Sequence, residues 1–526
     1  MMKGMNNVLR HNTFLLILVL FVGVVIPRLL VLGQFPYMDE GYYIYQAQQI
    51  FEHVVNTKHL PGVGGCNLYA ILLAPFCALP GNIFVWLRLI DLVFALGAGI
   101  CFYKLLYLLC RRHSLALIVD CLFLLAMNVP DVIQAGVKNS FFVAYMFLFA
   151  AWISLLKPQK LELVQIGVYS VWGYELITPT HRFFWAGVFT AIGVLLREPF
   201  LVYAVWGAIA IWRGFGLHRA IIYCLGGLLT ACICFLILFE ARQSLTGLIL
   251  AYTDSQAIFK AESARIYENL MHYGARFLQD FWPLILLTVL ASLGLCSKQN
   301  RTQKKTAIFC GSLLVAPFFE ICSKIAFTYH FAMLLPALCC LLVLGLNALR
   351  KSSKLFTHYG KMLIALSFVA LILVNYDFKN IKMTVDVLKA FPTFNWSKSL
   401  QDESNTLLAA QIIQKLPGKT LVVSGFMHFL YPATRLLPPN SDLDDLSRVY
   451  LRNKCDQEKL REILLRAKPD IVVIAKTQEK DHVAIFTEEL SQVIAKIDAY
   501  NLVQEIKVDQ KKNYGWIGCS IYQRKM

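Results

Sequence analysis

Long apolar runs separated by short polar turns fill the first two thirds of this 526-residue chain. Runs near 12–32, 83–109, 114–127, 139–156, 183–196, 199–212, 219–239, 281–296, 307–323, 329–349 and 360–375 are predicted to be helices that cross a bilayer, about eleven in all. Several fall short of the ~17 residues a span needs, so they are expected to extend into polar sequence, tilt, or lie inside a bundle. The first run follows Lys3, Arg10 and His11 and has no A-x-A-like cleavage site, which predicts an uncleaved span starting in the cytoplasm. Between the first two runs the pattern changes. Pro36 ends the preceding helix, Asp39 can cap a new one, and Tyr43, Ala47, Ile50, Phe51 and Val54 then fall on one side at helical spacing. Residues 39–55 are therefore expected to form an amphipathic helix lying along the membrane surface.

From Asp377 onward the pattern is of soluble type. Leu421–Ser424 and Asp470–Ala475 read as short buried strands, and Gln457–Ala467 as the amphipathic helix before the second of them. Glu488–Asp498 reads as a helix, and Leu502–Val508 and Trp516–Arg524 as strands able to extend the same sheet. The expected architecture is a polytopic α-helical membrane domain over 1–376 and a C-terminal extracytoplasmic α/β domain over 377–526. Neither an internal repeat nor inverted symmetry between halves is visible, which argues against a secondary transporter.

Composition agrees. With 57% hydrophobic and 16% charged residues, against about 25% charged in soluble domains, a soluble enzyme is excluded. A net charge of +17 would suggest nucleic acid in a soluble protein, but here the Lys and Arg lie mostly in short turns, where they act as topology signals. Alternation puts Arg111 and Arg112, Lys157 and Lys160, Arg213 and Arg219, Lys298 to Lys305, and Arg350 to Lys354 together on the cytoplasmic side. The segments 36–80, 128–138, 197–198, 240–280 and everything after Asn375 then face outward, and nucleic acid is not an expected partner. Most of the 15 Cys sit inside apolar runs without metal-ligand spacing. Cys455 and Cys519 stand in polar surroundings, where an oxidising compartment would permit a bridge.

The outward segment PYMDEGYYIYQAQQIFEH carries the most informative chemistry. Asp39 and Glu40 open its helix, near the positive end of the helix dipole. Successive helical residues point ~100° apart, so the two carboxylates do not readily chelate one ion. Asp39 reads either as a helix cap or as an acid facing a cavity. Arg197, between two apolar runs, reads as a partner of Glu198, a snorkelling side chain or an anion site. Tyr329 and His330 head a late run, as an interfacial aromatic belt would or as the lining of a cavity. No D-x-D or His-rich cluster stands out in the outward loops, so no metal and no cofactor is expected.

An acidic pair opening a juxtamembrane helix just after the first span resembles the first-loop motif of the GT-C glycosyltransferases, in the branch of protein O-mannosyltransferases and lipid A aminoarabinose transferases. The stretch from HLPGVGG to LGAG, with a helix starting near Arg88, is similar to that branch's second-span region. FFWAGVFTAIGVLLREPFLVYAVW is similar to its central hairpin and TYHFAMLLPAL to the start of a late span. VVSGFMHFLYPATRLLPPN and KPDIVVIA look like strands of its small outer domain. The resemblance implies a sugar taken from a polyprenyl phosphate and passed, with inversion, to a glycan, lipid or protein acceptor at the outer face. Asp39 would be the base, with Glu40 orienting the helix or the acceptor. Arg197, with Lys58 or His59, would hold the carrier phosphate, and Tyr329 and His330 would donate to it or line the cavity. The family's Lys-Pro-Pro is replaced here by Lys58, His59, Leu60, Pro61 and Gly62, which makes Lys58 a displaced candidate. Asp131 is the candidate for a second acidic position, whereas the family's following Glu is absent and Lys138 and Asn139 stand nearby.

The expected protein is thus an integral membrane glycosyltransferase. The compact outer domain and the lack of an ER-retention tail point to a bacterial inner membrane. The alternatives are an envelope-polysaccharide polymerase or ligase, a transporter or flippase, and a non-catalytic assembly partner.

Overall fold

The computed structural model describes residues 12–32, 38–57, 68–129, 132, 140–156, 179–242, 266–293, 295, 301–315, 328–349, 354–375, 405–425, 427–440, 443–477, 486–507 and 517–525. The protein is an integral membrane protein, mostly helical, with a small C-terminal sheet. Asn12–Leu30 (α1), Ile83–Cys110 (α4), Leu217–Leu236, Leu270–Leu293 and His330–Leu349 are each long and apolar enough to cross a membrane. The juxtamembrane helix, α2, runs over Met38–Thr57, and a short apolar helix, α3, over Leu68–Leu73 with a 3-10 extension to Ala78. The remaining described helices of the bundle are α5 (His113–Met127), α6 (Phe141–Leu155), α7 (Pro179–Leu196), α8 (Leu201–Phe215), α9 (Leu217–Arg242), α10 (Ile266–Leu293), α11 (Arg301–Ser312), α12 (Leu334–Leu349) and α13 (Lys354–Asn375).

Two expectations are corrected. Residues 68–78 were expected in an outward loop and are helical. The runs expected to span over 219–239 and 281–296 are longer: α9 continues to Arg242, and α10 already begins at Ile266, inside the outward segment 240–280.

Local chemistry sets the ends of these helices. The Asn82 side chain accepts from the Phe84 and Val85 amides at 2.9 and 3.5 Å and caps α4, which stops where Arg111 turns left-handed at φ 57°. At ~1.5 Å per residue, the 28 residues of α4 exceed the ~30 Å hydrocarbon core. In α1 a π-turn over Phe21–Val25 precedes Pro27, which has no N–H to offer the Gly23 carbonyl four residues back. That carbonyl instead accepts from Asn128 Nδ2 at 2.9 Å, which ties the break in α1 to the end of α5. Helices α7 and α9 meet backbone to backbone. A Cβ at Gly187 would strike the Tyr223 carbonyl, and one at Gly226 the Phe184 carbonyl.

The C-terminal sheet has the order β1-β2-β4-β3, with β1 (Leu421–Val423) parallel to β2 (Ile471–Thr477), and β4 (Ile517–Arg524) antiparallel to both β2 and β3 (Tyr500–Ile506). Its helices are α14 (Asn405–Lys415), α15 (Leu430–Thr434), α16 (Leu446–Arg452), α17 (Gln457–Ala467) and α18 (Thr487–Ala495). The stretch after β1, expected as strand, is a 3-10 turn over Met427–Phe429 followed by α15. Cys455 and Cys519 are both free, one exposed and the other buried on β4.

Period-two alternation divides the apolar side chains of the sheet. Val422, Val472 and Ile474 pack with Leu460, Leu464 and Leu490 of α17 and α18. The opposite face, with Leu421, Val423, Val473 and Ile521, joins one continuous core that runs through Phe429 and Tyr431 to Ile44 and Tyr45 of α2. From there the core continues to Phe123, Tyr145 and Leu342 in the bundle.

Candidate functional site

The site is built around the first turn of α2. Glu40 is fully buried and pairs with Arg88 of α4 through two parallel bonds, Nε to Oε1 and Nη2 to Oε2, each 2.7 Å. The third arm of the guanidinium donates from Nη1 to the Leu32 carbonyl at 2.6 Å. This fork geometry is the strong form of a charge-assisted pair. It joins the end of α1, the start of α2 and the start of α4 at one point, so Glu40 serves to hold the helix. Asp39 is the second residue of α2, and its side chain lies outside the described set.

A second polar knot supports the same turn. Arg28 of α1 lies 2.6 Å from Asp91 of α4 as a buried ion pair, and the Tyr69 hydroxyl donates to Asp91 at 2.7 Å. Tyr43 of α2 sits edge-on to Tyr69 at 5.5 Å. The Arg28 guanidinium also faces the Phe142 ring at 4.8 Å. The outer face of α2 is covered by the C-terminal domain: Tyr45 stacks on Tyr431 at 4.3 Å, and Tyr42 meets His428 at 4.7 Å. A Cβ on Gly41 would lie 2.6 Å from Phe429 Cβ, so glycine is required for this approach.

Arg197 and the turn that carries His330 are both tied to α6, Arg197 over the Phe141 ring and the turn through the Tyr145 hydroxyl. The Arg197 guanidinium lies over the Phe141 ring at 3.7 Å, and Phe141 is the neighbour of the Phe142 that meets Arg28. The Ser140 hydroxyl donates to the Leu196 carbonyl at 2.7 Å and fixes the end of α7. One turn after Phe141, the Tyr145 hydroxyl donates to the Ala332 carbonyl at 3.2 Å, and Tyr203 of α8 donates to the Met333 carbonyl at 2.7 Å. Both bonds pin the 3-10 turn Thr328–Met333, which carries the buried His330. Tyr329 shares that turn by its backbone, and its side chain is outside the described set. Lys58, His59, Asp131 and the Glu198 side chain also lie outside the described residues. Among the described residues, no three His, Cys, Asp or Glu side chains are arranged to hold a metal ion.

Helix directions place these groups at one end of the bundle. Helix α4 begins there, at Asn82, and ends at Arg111; α6 begins there, at Phe141; α7 ends there, at Leu196; and α8 leaves from it toward Arg213. The basic turns holding Arg111, Arg112, Arg213 and Arg219 therefore stand at the opposite end.

Sequence reasoning singled out Glu40, Arg197 and His330 but not Arg28 or His428. An Arg inside an apolar run and a His in a domain core carry no spacing signal, and their partners are far away in the chain.

No protein-family model matches this sequence, and no curated protein matches it either. Among solved structures, the fold is similar to the Archaeoglobus fulgidus oligosaccharyltransferase tethered with an acceptor peptide containing the NVT sequon. There the TM-score is 0.51 at 12% identity, covering 98% of this chain and 74% of that one. It is also similar to ArnT from Cupriavidus metallidurans in the apo state, with a TM-score of 0.50 at 13% identity, covering 96% of this chain and 97% of that one. The chain thus has the GT-C fold.

Proposed function

We propose that this GT-C-folded chain is an inverting glycosyltransferase that moves a sugar from a polyprenyl phosphate to an acceptor at the extracytoplasmic face of a bacterial inner membrane. The observation that carries this reading is the gathering of Glu40 with Arg88, Arg197 and the His330 turn at the end of the bundle opposite the basic turns. Short basic turns face the cytoplasm, so the gathered groups face outward.

The reaction asks for few groups. A phosphate leaving group is already acidic and requires no general acid. The acceptor hydroxyl requires a base, and the departing phosphate requires positive charge. Asp39 acts as the base at the positive end of α2. Glu40, locked to Arg88, keeps that helix end in register. Arg197 meets the developing phosphate charge from its aromatic shelf, with Lys58 or His59 as the second cation.

The direct test incubates the purified protein with a panel of polyprenyl-phosphate sugars and follows donor consumption that depends on an added glycan, lipid or peptide acceptor. Asp39→Asn is expected to abolish transfer while carrier lipid still binds. Wild-type turnover by that variant would overturn the assignment of the base, and no acceptor-dependent consumption across the panel would overturn the transferase reading.

A further inference from the structure

The end of the bundle away from the gathered groups carries a cationic corner that the transfer chemistry does not use. Helix α7 starts there and α8 ends there, and Gly216, at φ 93°, turns the chain back so that α9 starts there too. Phe183 of α7 meets Phe215 of α8 edge to face at 5.2 Å, and the Arg219 guanidinium of α9 lies 5.7 and 5.9 Å from the two rings. Its Nη1 donates to the Phe215 carbonyl at 3.4 Å, its one hydrogen bond among the described residues. Arg182 immediately precedes Phe183, and Arg213 stands two residues before Phe215, so three arginines share the corner. Arg213 and Arg219 are exposed, and a Cβ added at Gly214 or Gly216 would meet open space.

No Asp or Glu stands among the described residues of this corner. In the neighbouring stretch 157–178, Glu162 and Glu175 are matched by Lys157 and Lys160, so the three arginines remain in excess. Like charges gathered in this way repel one another, and a phosphate, which a guanidinium fork takes through two parallel bonds, relieves the repulsion.

The surface beside the charges decides what kind of phosphate fits. Leu217, Ile221, Leu225 and Leu229 follow one another at four-residue spacing along the apolar span of α9 and are 61%, 47%, 54% and 51% exposed. They form a track that leads from the corner into the bilayer. Trp185 and Trp212, also exposed, add indole rings of the kind that sit between headgroups and acyl chains. A free anion makes no use of such a track, whereas a phospholipid fills track and corner together.

We propose that Arg182, Arg213 and Arg219 hold the phosphate of an anionic phospholipid whose acyl chain lies along Leu217, Ile221, Leu225 and Leu229. That this leaflet is the cytoplasmic one rests on the orientation proposed above, but the site does not.

The test counts the lipid carried by the full-length protein. Protein released into detergent from nanodiscs of equal parts phosphatidylcholine and phosphatidylglycerol is read by native mass spectrometry, and the wild type should retain phosphatidylglycerol in preference. Arg219→Gln and Arg213→Gln should each lower that retention about fivefold, the factor one basic side chain contributes near an anionic lipid surface. Arg111→Gln, which removes the same charge from another turn at the same end, should leave it unchanged. Single substitutions leave the remaining basic turns to orient the chain. If Arg219→Gln does not fold, Arg213→Gln against Arg111→Gln decides the matter. Equal losses in the corner and Arg111 variants would reduce the effect to general surface attraction and overturn the site. Displacement of the lipid by millimolar inorganic phosphate would make the corner a free-anion site and overturn the lipid. A wild type without preference for phosphatidylglycerol would overturn both. Sugar transfer enters none of these readings, so a failed transferase reading leaves the lipid site standing.

Discussion

Glu40 and Arg88 are each of little use alone at their depth in the protein. Removing one leaves an uncompensated buried charge, so Glu40→Ala or Arg88→Ala is expected to destabilise the protein by about 3–5 kcal/mol. The double replacement should cost clearly less than the sum of the two, as read by thermal unfolding in detergent across the full mutant cycle. Asp470, just before β2, works through hydrogen bonds. Burial opposes its charge, but the Lys419 and Thr420 amides at 2.8 and 3.1 Å, the Thr420 hydroxyl at 3.0 Å and Arg524 hold its carboxyl below the usual range. A depressed pKa adds stability above the unfolded value of about 3.9, which is lost as pH falls through the native value. Asp470→Asn should therefore lower the unfolding midpoint at neutral pH, and the gap from wild type should close below about pH 4. The acidic pair at 39–40 was legible because a cap residue before an amphipathic run has a local pattern. The Glu40 to Arg88 bond was not, because its partners stand 48 residues apart and nothing local marks the pairing.

At the scale of elements, long apolar periodicity made the bundle readable, and alternation with flanking turns made the strands readable. The segment 68–78 was missed because its six-residue helix gives way to a 3-10 turn at Pro75, too short a stretch for any period to register. The outward segment 240–280 was read at roughly helical spacing, as an outer lid or a solvated connector, and its last part, from Ile266, is the first half of α10, where Glu268, His272, Arg276 and Asp280 kept the apolar run from registering earlier. In the proposed reading the turn Thr328–Met333 positions His330 for the donor phosphate, and two hydroxyls hold the turn. Tyr145→Phe and Tyr203→Phe should each cost about 1 kcal/mol of stability, and together they should raise donor KM more than they lower kcat. Titration of carrier lipid binding would check this independently of turnover.

Across the whole molecule, membrane bundle and C-terminal domain share one core that passes through α2. A chain stopped after Asn375 should still insert, but α2 would present Gly41, Tyr42 and Tyr45 without cover. Limited proteolysis is expected to cut such a chain within 38–57 and to spare the intact protein, and sugar transfer should be absent.

The Gly41 to Phe429 contact also orders the assembly of the protein in time. Gly41 leaves the ribosome long before Phe429, so the helix bearing the candidate base is made well ahead of the surface that covers it. A chain that stops short of Phe429 thus leaves α2 uncovered, and the contact can form only once the C-terminal domain has folded back over that helix.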